Sequence, residues 1–378
     1  MSGKEHIKSL DGLRGWAAAA VIFYHGLLHY DISSVDRVLY QSSLYLNGFW
    51  DHLLKALLIP MNGESAVLVF FVLSGFVLRL SLERIDTSEA WRTVAVFCTN
   101  RVFRLFPILI VSVVCFKLLG SVCVRIGITS FPLVTWDAVI RNSLLTDILV
   151  IGPSWSIQTE LAATAVILAS YFLKRHFGFV GLIIAALYTC FAIDFPLLVG
   201  RAANLWPYSL AFVLGMIVAE KDIIAGLRAK TGPSAQILFL IGFLVGRHIV
   251  VRAGVSGLIA QSVFGALLVG SLVAHKDGVL GRFLEGSVSQ FLGRISYSLY
   301  LVNVLWLYFL WAVLPIPATT NTPAVIFVGL ISATGAFLIS VPLSWLTYQW
   351  IEVPGIWLGK RVAALFKQRA PSPVAEPV

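Results

Sequence analysis

Of the 378 residues, 58% are apolar, only 12% are charged, and the mean hydropathy is +0.87. A soluble domain carries about 25% charged residues, so this composition leaves too little polar surface to face water and calls for a lipid solvent. The net charge of +9 does not indicate nucleic acid, because basic patches interleaved with aromatics in a soluble fold are missing.

At the amino terminus, Lys4 and Lys8 precede an apolar run from Leu13 to Leu28. Arg14 and His25 interrupt that run and no A-x-A cleavage pattern follows, so it reads as a retained first helix rather than a signal peptide. Apolar runs of about 20 residues can cross a hydrocarbon core of roughly 30 Å. Ten such runs follow one another, at 12–30, 59–80, 103–124, 154–173, 177–193, 205–220, 235–251, 256–274, 294–314 and 323–347. The fifth, sixth and seventh are short and contain Gly. The expected fold is all-α: a polytopic membrane bundle of about ten transmembrane helices, one domain over residues 1–366. The Pro-rich polar segment 367–378 is expected to be a disordered cytoplasmic tail.

Basic residues give the orientation. With the amino terminus cytoplasmic, inside segments hold 20 Lys and Arg, outside loops hold 7, and Lys117 falls within the third span. That alternation supports an even number of spans with both termini inside. Trp50, Trp136, Trp155, Trp206 and Trp311 gather near outer ends, and Tyr348, Trp350 and Trp357 near the inner end of the last span, as aromatic belts do. The four cysteines form no C-x-x-C pair, which speaks against a zinc or disulfide framework.

Ionisable groups within the bilayer are costly, about 2.5–3.5 kcal/mol or more at a helix centre, and are functional candidates by default. Asp11 and Arg14 open the first span on one face. His25 follows Arg14 by eleven residues, three turns, so it points to nearly the same side roughly 16 Å higher. Glu64 opens the second span and Ser74 lies near its inner end. Glu160, in WSIQTE, lies about six residues, or roughly 9 Å, below the start of the fourth span. This counting puts Glu160 near the depth of His25. A histidine with one or two carboxylates in one buried layer is the pattern of a general base and its orienter.

Each residue also has a structural reading. His25 can serve as an interhelical hydrogen-bonder, Glu160 as a packing ion pair, and Arg14 as an inner-surface anchor. Arg101 and Arg104 can bind phosphate or simply carry positive-inside charge, and Ser74-Gly75 can be a small-residue helix contact. His25 and His29 have chelating spacing, but no third ligand is placed with them, and no metal site is expected.

In these residues the chain resembles the acyltransferase-3 family of integral membrane O-acyltransferases. The resemblance rests on six segments in order over nearly the whole length: SLDGLRG at 9–15 with His25, GESAVLVFFVLSGFVL at 63–78, NRVFRLFP at 100–107, WSIQTE at 155–160, LGRISYSLYLVN at 292–303 and IEVP at 351–354. The third is similar to the family's basic loop before the third helix. Asn303 stands where the family often has His, and Asn cannot act as a base, so His25 is the remaining candidate.

The resemblance implies an acyl-CoA donor, commonly acetyl-CoA, as co-substrate and no permanently bound cofactor. It also implies a glycan or lipid-linked sugar acceptor and a multi-pass location in a bacterial inner membrane. Arg14, Arg101 and Arg104 would then hold the CoA phosphates. Asp11, Ser74, Glu64 and Asn303 would complete the binding groups, and neutral His25, oriented by Glu160, would deprotonate the acceptor hydroxyl. An acyl-enzyme route stays open. The rival reading is a transporter or flippase of an acyl-sugar or lipid, for which buried His, Glu and Arg would serve equally well.

Overall fold

The computed structural model describes residues 7–85, 89–198, 205–249, 255–314 and 322–367. Among these residues the chain is all-helical, so the backbone groups that lipid could not satisfy are paired within their own segments. The tail assigned to 367–378 lies, apart from Lys367, outside the described residues.

All ten apolar runs fold as helices: α1 (Lys8–Leu28), α4 (Gly63–Glu83), α5 (Ala90–Arg125), α7 (Ser154–Phe177), α8 (Phe179–Ala192), α9 (Leu205–Val218), α11 (Ala235–Ile249), α12 (Val255–Ala274), α14 (Ser287–Val313) and α15 (Thr322–Thr347). Six helical segments are long and apolar enough to cross a membrane: Gly48–Glu83, Ala90–Arg125, Ser154–Phe177, Val255–Ala274, Ser287–Val313 and Thr322–Ala364. Three more, at Phe179–Ala192, Leu205–Val218 and Ala235–Val245, are apolar but shorter. A 14-residue helix rises roughly 21 Å, less than the hydrocarbon core. The chain is a multi-pass membrane protein.

Shorter helices fill the connections. After α1, α2 (Ile32–Tyr40) and α3 (Gly48–Leu58) form a cap beyond the C-terminal end of α1. Asp31 caps α2 by accepting from the Ser34 amide, and Lys55 Nζ donates to the Val38 and Leu39 carbonyls at its other end. Arg37 and Asp51 pair at 2.9 Å across the cap, and Thr322 Oγ1 donates to Asp51, tying the cap to α15. The remaining elements are α6 (Trp136–Ser143), α10 (Lys221–Lys230), α13 (Val279–Leu284), a π-helical turn at Tyr348–Glu352 and α16 (Val353–Ala364).

One boundary differs from the sequence expectation and matters for the site. α5 begins at Ala90, so Arg101 and Arg104 lie within a 36-residue helix and not in a loop. Pro107 also lies inside α5, where it lacks the N–H that would reach the Phe103 carbonyl. Gly355 of α16 packs directly against that carbonyl. α7 begins at Ser154, where the run was expected, with Ser154 itself buried. Asn142, fully buried, accepts from the Val150 and Ile151 amides and donates to Ser154 Oγ, fixing the 144–153 segment to the start of α7. The Leu145 carbonyl, on a residue with φ of 58°, accepts from Gln158.

Small residues set the closest helix contacts, as is usual in membranes. Gly15 of α1 lies against Gly293 of α14, where an added Cβ would stand 2.5 Å from the Gly293 nitrogen. Trp16 Nε1 donates to Ser289 Oγ at 3.0 Å, and His29 stacks on Trp311 at 4.0 Å. α1 and α14 therefore run parallel along their whole length. Gly75 of α4 meets α9 as closely, with an added Cβ 2.0 Å from the Phe212 carbonyl oxygen.

Gly75→Val should lower the thermal midpoint of the detergent-purified protein by several degrees, because backbone cannot yield to the added methyls and overpacking costs about 1–3 kcal/mol or more. Gly226→Ala, in α10 with nothing near its Cβ, should leave the midpoint unchanged or raise it. Equal midpoints for the two variants would contradict this packing.

Candidate active site

α1 packs between α4, α14 and α15, and the groove it forms with α4 and α14 holds a polar cavity. Arg14, Ser74, Arg104, Ser156, Glu160 and Tyr300 line it, together with Tyr297 and the rings of Phe70 and Phe71. The space measures about 50 Å³, enough for one or two water molecules. A second space of about 80 Å³ shares Arg104 and Glu160 and extends along α4 past Leu78 and Ser81, toward the C-terminal end of that helix.

Glu160 is the fixed anion of the cavity. Ser74 Oγ donates to its Oε1 at 2.9 Å. Arg101 Nη2 donates to the Glu160 backbone oxygen at 2.6 Å and lies 3.5 Å from Oε1. Arg101 is 4% exposed, so its charge is held by one carboxylate, one carbonyl and the Phe97 ring at 5.8 Å. Four sequence-selected residues (Arg14, Ser74, Arg104 and Glu160) thus line one cavity, with Arg101 directly behind it.

Arg14 and Arg104 differ from Arg101. Neither makes a hydrogen bond or ion pair with another described residue, yet both line the cavity and lie within electrostatic reach of each other. Two guanidinium groups repelling one another at a low-dielectric site are stabilised by an anion placed between them. Asp11, one turn before Arg14, and Glu352 also act on Arg14 through space. Glu352 is buried in the π-helical turn, where Ser298 Oγ donates to its Oε2 at 2.7 Å. Such π-helical turns are common at functional sites.

His25 lies higher. It is partly buried, it does not line the cavity, and its ring makes no hydrogen bond with another described residue. The expected pairing of His25 with Glu160 is not formed, because the carboxylate is engaged by Ser74 and Arg101. Glu160 meets Ser74, eleven residues along α4 from the Gly63 that packs on Tyr24, and so lies nearer the level of Arg14 than of His25. The parallel contacts of α1 with α14 bracket the level of His25. Taking Gly15 opposite Gly293 and His29 opposite Trp311, His25 is level with the turn from Asn303 to Leu307. Asn303 is 1% exposed; its Nδ2 donates to the Leu299 and Tyr300 carbonyls, while its Oδ1 has no partner among the described residues.

Glu64 caps the opposite wall, taking a hydrogen bond from Tyr40 of the cap at 2.9 Å. Its neighbour Gly63 packs on the Tyr24 ring, which puts the start of α4 at about the level of His25. His29 uses its ring to stack on Trp311.

Sequence reasoning missed Ser156, Tyr297, Tyr300 and Glu352, although all lie in segments it singled out. The usable signal was a pair of tyrosines three residues apart on an otherwise apolar helix face, and a carboxylate inside an apolar run.

Breaking the Arg101–Glu160 contact should be costly. Glu160→Leu strands a buried guanidinium, at about 3–5 kcal/mol for a buried pair broken on one side. Arg101→Met combined with Glu160→Leu should recover part of the loss in thermal midpoint. A double variant as unstable as the sum of the single variants would show that the two do not interact.

No curated protein and no solved structure matches the chain. A family model described as an acyltransferase domain matches residues 7–348, nearly the whole length and every residue that lines the cavity. The chain therefore belongs to the acyltransferase-3 family and is a membrane acyltransferase.

Proposed function

We propose that the protein takes an acyl group, acetyl in the simplest case, from cytoplasmic acyl-CoA and places it on a hydroxyl of a cell-surface or lipid-linked sugar, with His25 as general base. The observation that carries this reading is the pair of guanidinium groups, Arg14 and Arg104, that line one cavity and have no hydrogen-bond or ion-pair partner among the described residues; helix rise and periodicity put His25 above them on nearly the same side of α1. Arg forks suit phosphate oxygens, and CoA brings a pyrophosphate to its binding site.

The spacing supports the same reading. Eleven residues of helix separate Arg14 from His25, or roughly 16 Å. The arm between the CoA pyrophosphate and its sulfur is a chain of about thirteen bonds, each advancing about 1.2–1.3 Å when extended. A donor anchored at Arg14 and Arg104 would deliver its thioester to the level of the imidazole. The tight cavity means that side chains along this path shift when the donor enters.

In the proposed reaction, neutral His25 accepts the proton of the acceptor hydroxyl as its oxygen attacks the thioester carbonyl. The Oδ1 of Asn303, near the same level and without a partner among the described residues, would accept from that hydroxyl. Glu160, held by Arg101 and Ser74, fixes the electrostatics of the donor site and does not orient the base. The topology that fits is ten crossings with both termini cytoplasmic, in a bacterial inner membrane, with the donor entering from the basic side and the acceptor from the other.

The test is kinetic, in membranes supplied with labelled acetyl-CoA. His25→Ala should lower acceptor acylation at least about 100-fold with little change in KM for acetyl-CoA. Arg14→Gln with Arg104→Gln should raise that KM at least about tenfold. Full acylation by the His25 variant ends its assignment as base, and an unchanged KM in the double variant ends the phosphate assignment.

A further inference from the structure

Transfer of an acyl group creates an oxyanion on the thioester carbonyl, and a donor aimed at that oxygen supplies much of the rate enhancement of such reactions. The candidate donors in the cavity can be sorted by what already holds them. Ser74 donates to Glu160, Ser156 Oγ to the Pro153 carbonyl at 2.9 Å, Ser296 Oγ to the Gly293 carbonyl at 2.9 Å, and Tyr297 to the Leu105 carbonyl at 2.7 Å. Arg14 and Arg104 belong to the donor's anionic end.

Tyr300 remains. Its hydroxyl lies 2.7 Å from Ser156 Oγ. Because the Ser156 proton is committed to Pro153, Tyr300 is the donor in that contact. Its partner is a neutral hydroxyl, a weaker acceptor than the carboxylate or carbonyls that hold the others. A turn about its C–O bond releases the proton toward the cavity.

Position agrees with chemistry. The two contacts of α1 with α14 used above place Tyr300 between Arg14 and His25, roughly 5–10 Å below the imidazole. Tyr300 lines the cavity, is buried, and meets the Phe70 ring edge-on at 5.6 Å. In such apolar surroundings a hydrogen bond to a developing charge is worth more than in water.

We propose that Tyr300 is a catalytic residue, the hydroxyl that stabilises the thioester oxyanion; this rests on the acyl-CoA reading above. The acceptor O–H proton passes to His25 as the O–C bond forms and the carbonyl electron pair moves onto oxygen, which takes the Tyr300 hydrogen bond. Collapse re-forms the carbonyl and breaks the C–S bond. The departing thiolate takes the proton from His25, leaving ester, free CoA thiol and neutral imidazole.

The experiment measures thiol release from acetyl-CoA by purified protein supplied with acceptor-containing membranes, for wild type, Tyr300→Phe and a series of fluorotyrosines at position 300. Tyr300→Phe should lower kcat about 100- to 1000-fold, with KM for acetyl-CoA within about twofold. Across the fluorotyrosines, which keep the hydroxyl and the fold, kcat should change steadily with phenol acidity. A kcat for Tyr300→Phe within threefold of wild type, or a fluorotyrosine series with flat kcat, overturns the assignment while leaving the acyl-CoA reading intact. Wild-type protein that releases no thiol overturns both.

Discussion

The structure turns on an imbalance of charge inside the helix bundle. Two guanidinium groups, those of Arg14 and Arg104, line one cavity with Glu160; a third, that of Arg101, lies against Glu160 from behind, and Glu352 acts on Arg14 through space. Ionised groups away from water must be paired or they destabilise the fold. Arg101 and Glu160 satisfy each other, and Glu352 is held by the Ser298 hydroxyl. Arg14 and Arg104 have no such contact among the described residues. Two cations kept together in one groove would be stabilised by an anion brought by a ligand, which is the basis of the donor-binding proposal.

That groove exists because backbones approach closely elsewhere. Gly15 against Gly293 and Gly75 against Phe212 fix the register of α1 with α14 and of α4 with α9. With that register set, the rise of α1 alone separates the cationic floor from the imidazole above it. Tyr300 and Phe70 occupy the interval, so the same packing contacts that stabilise the bundle also define a path along which a flexible thioester arm would be read. Glycine at these seams thus links stability to function: a change that spreads α1 from α14 would alter the depth of His25 relative to Arg14 before it touched either residue.

Much of this was legible in the sequence because helical periodicity is strict. Eleven residues are almost three turns, so Arg14 and His25 had to share a side, and the apolar runs had to be helices once water was excluded as solvent. What was not legible depended on how helices are placed in space. WSIQTE reads as an outer entry to a span with Glu160 near the depth of His25, but the carboxylate meets Ser74 of α4 and Arg101 of α5, and counting along α7 alone does not reveal which neighbours lie at that level. NRVFRLFP reads as a loop ahead of a span because it carries two charges and a proline. In the structure α5 runs through it, with Arg101 neutralised by Glu160 and the carbonyl freed at Pro107 covered by Gly355. Tyr300 and Glu352 escaped notice because their roles come from partners on other helices, Ser156 and Ser298, which no spacing within one helix reveals.

The central claim is that one donor molecule spans the interval from the paired arginines to the histidine. A cryo-electron microscopy structure of the protein in lipid nanodiscs with a non-reactive thioether analogue of acetyl-CoA tests it most directly. The account predicts pyrophosphate density between Arg14 and Arg104, with the arm rising past Tyr300 and the sulfur within one helical turn of the His25 ring. An analogue bound with its phosphates away from both arginines, or with its sulfur still at the level of Ser74, would contradict it.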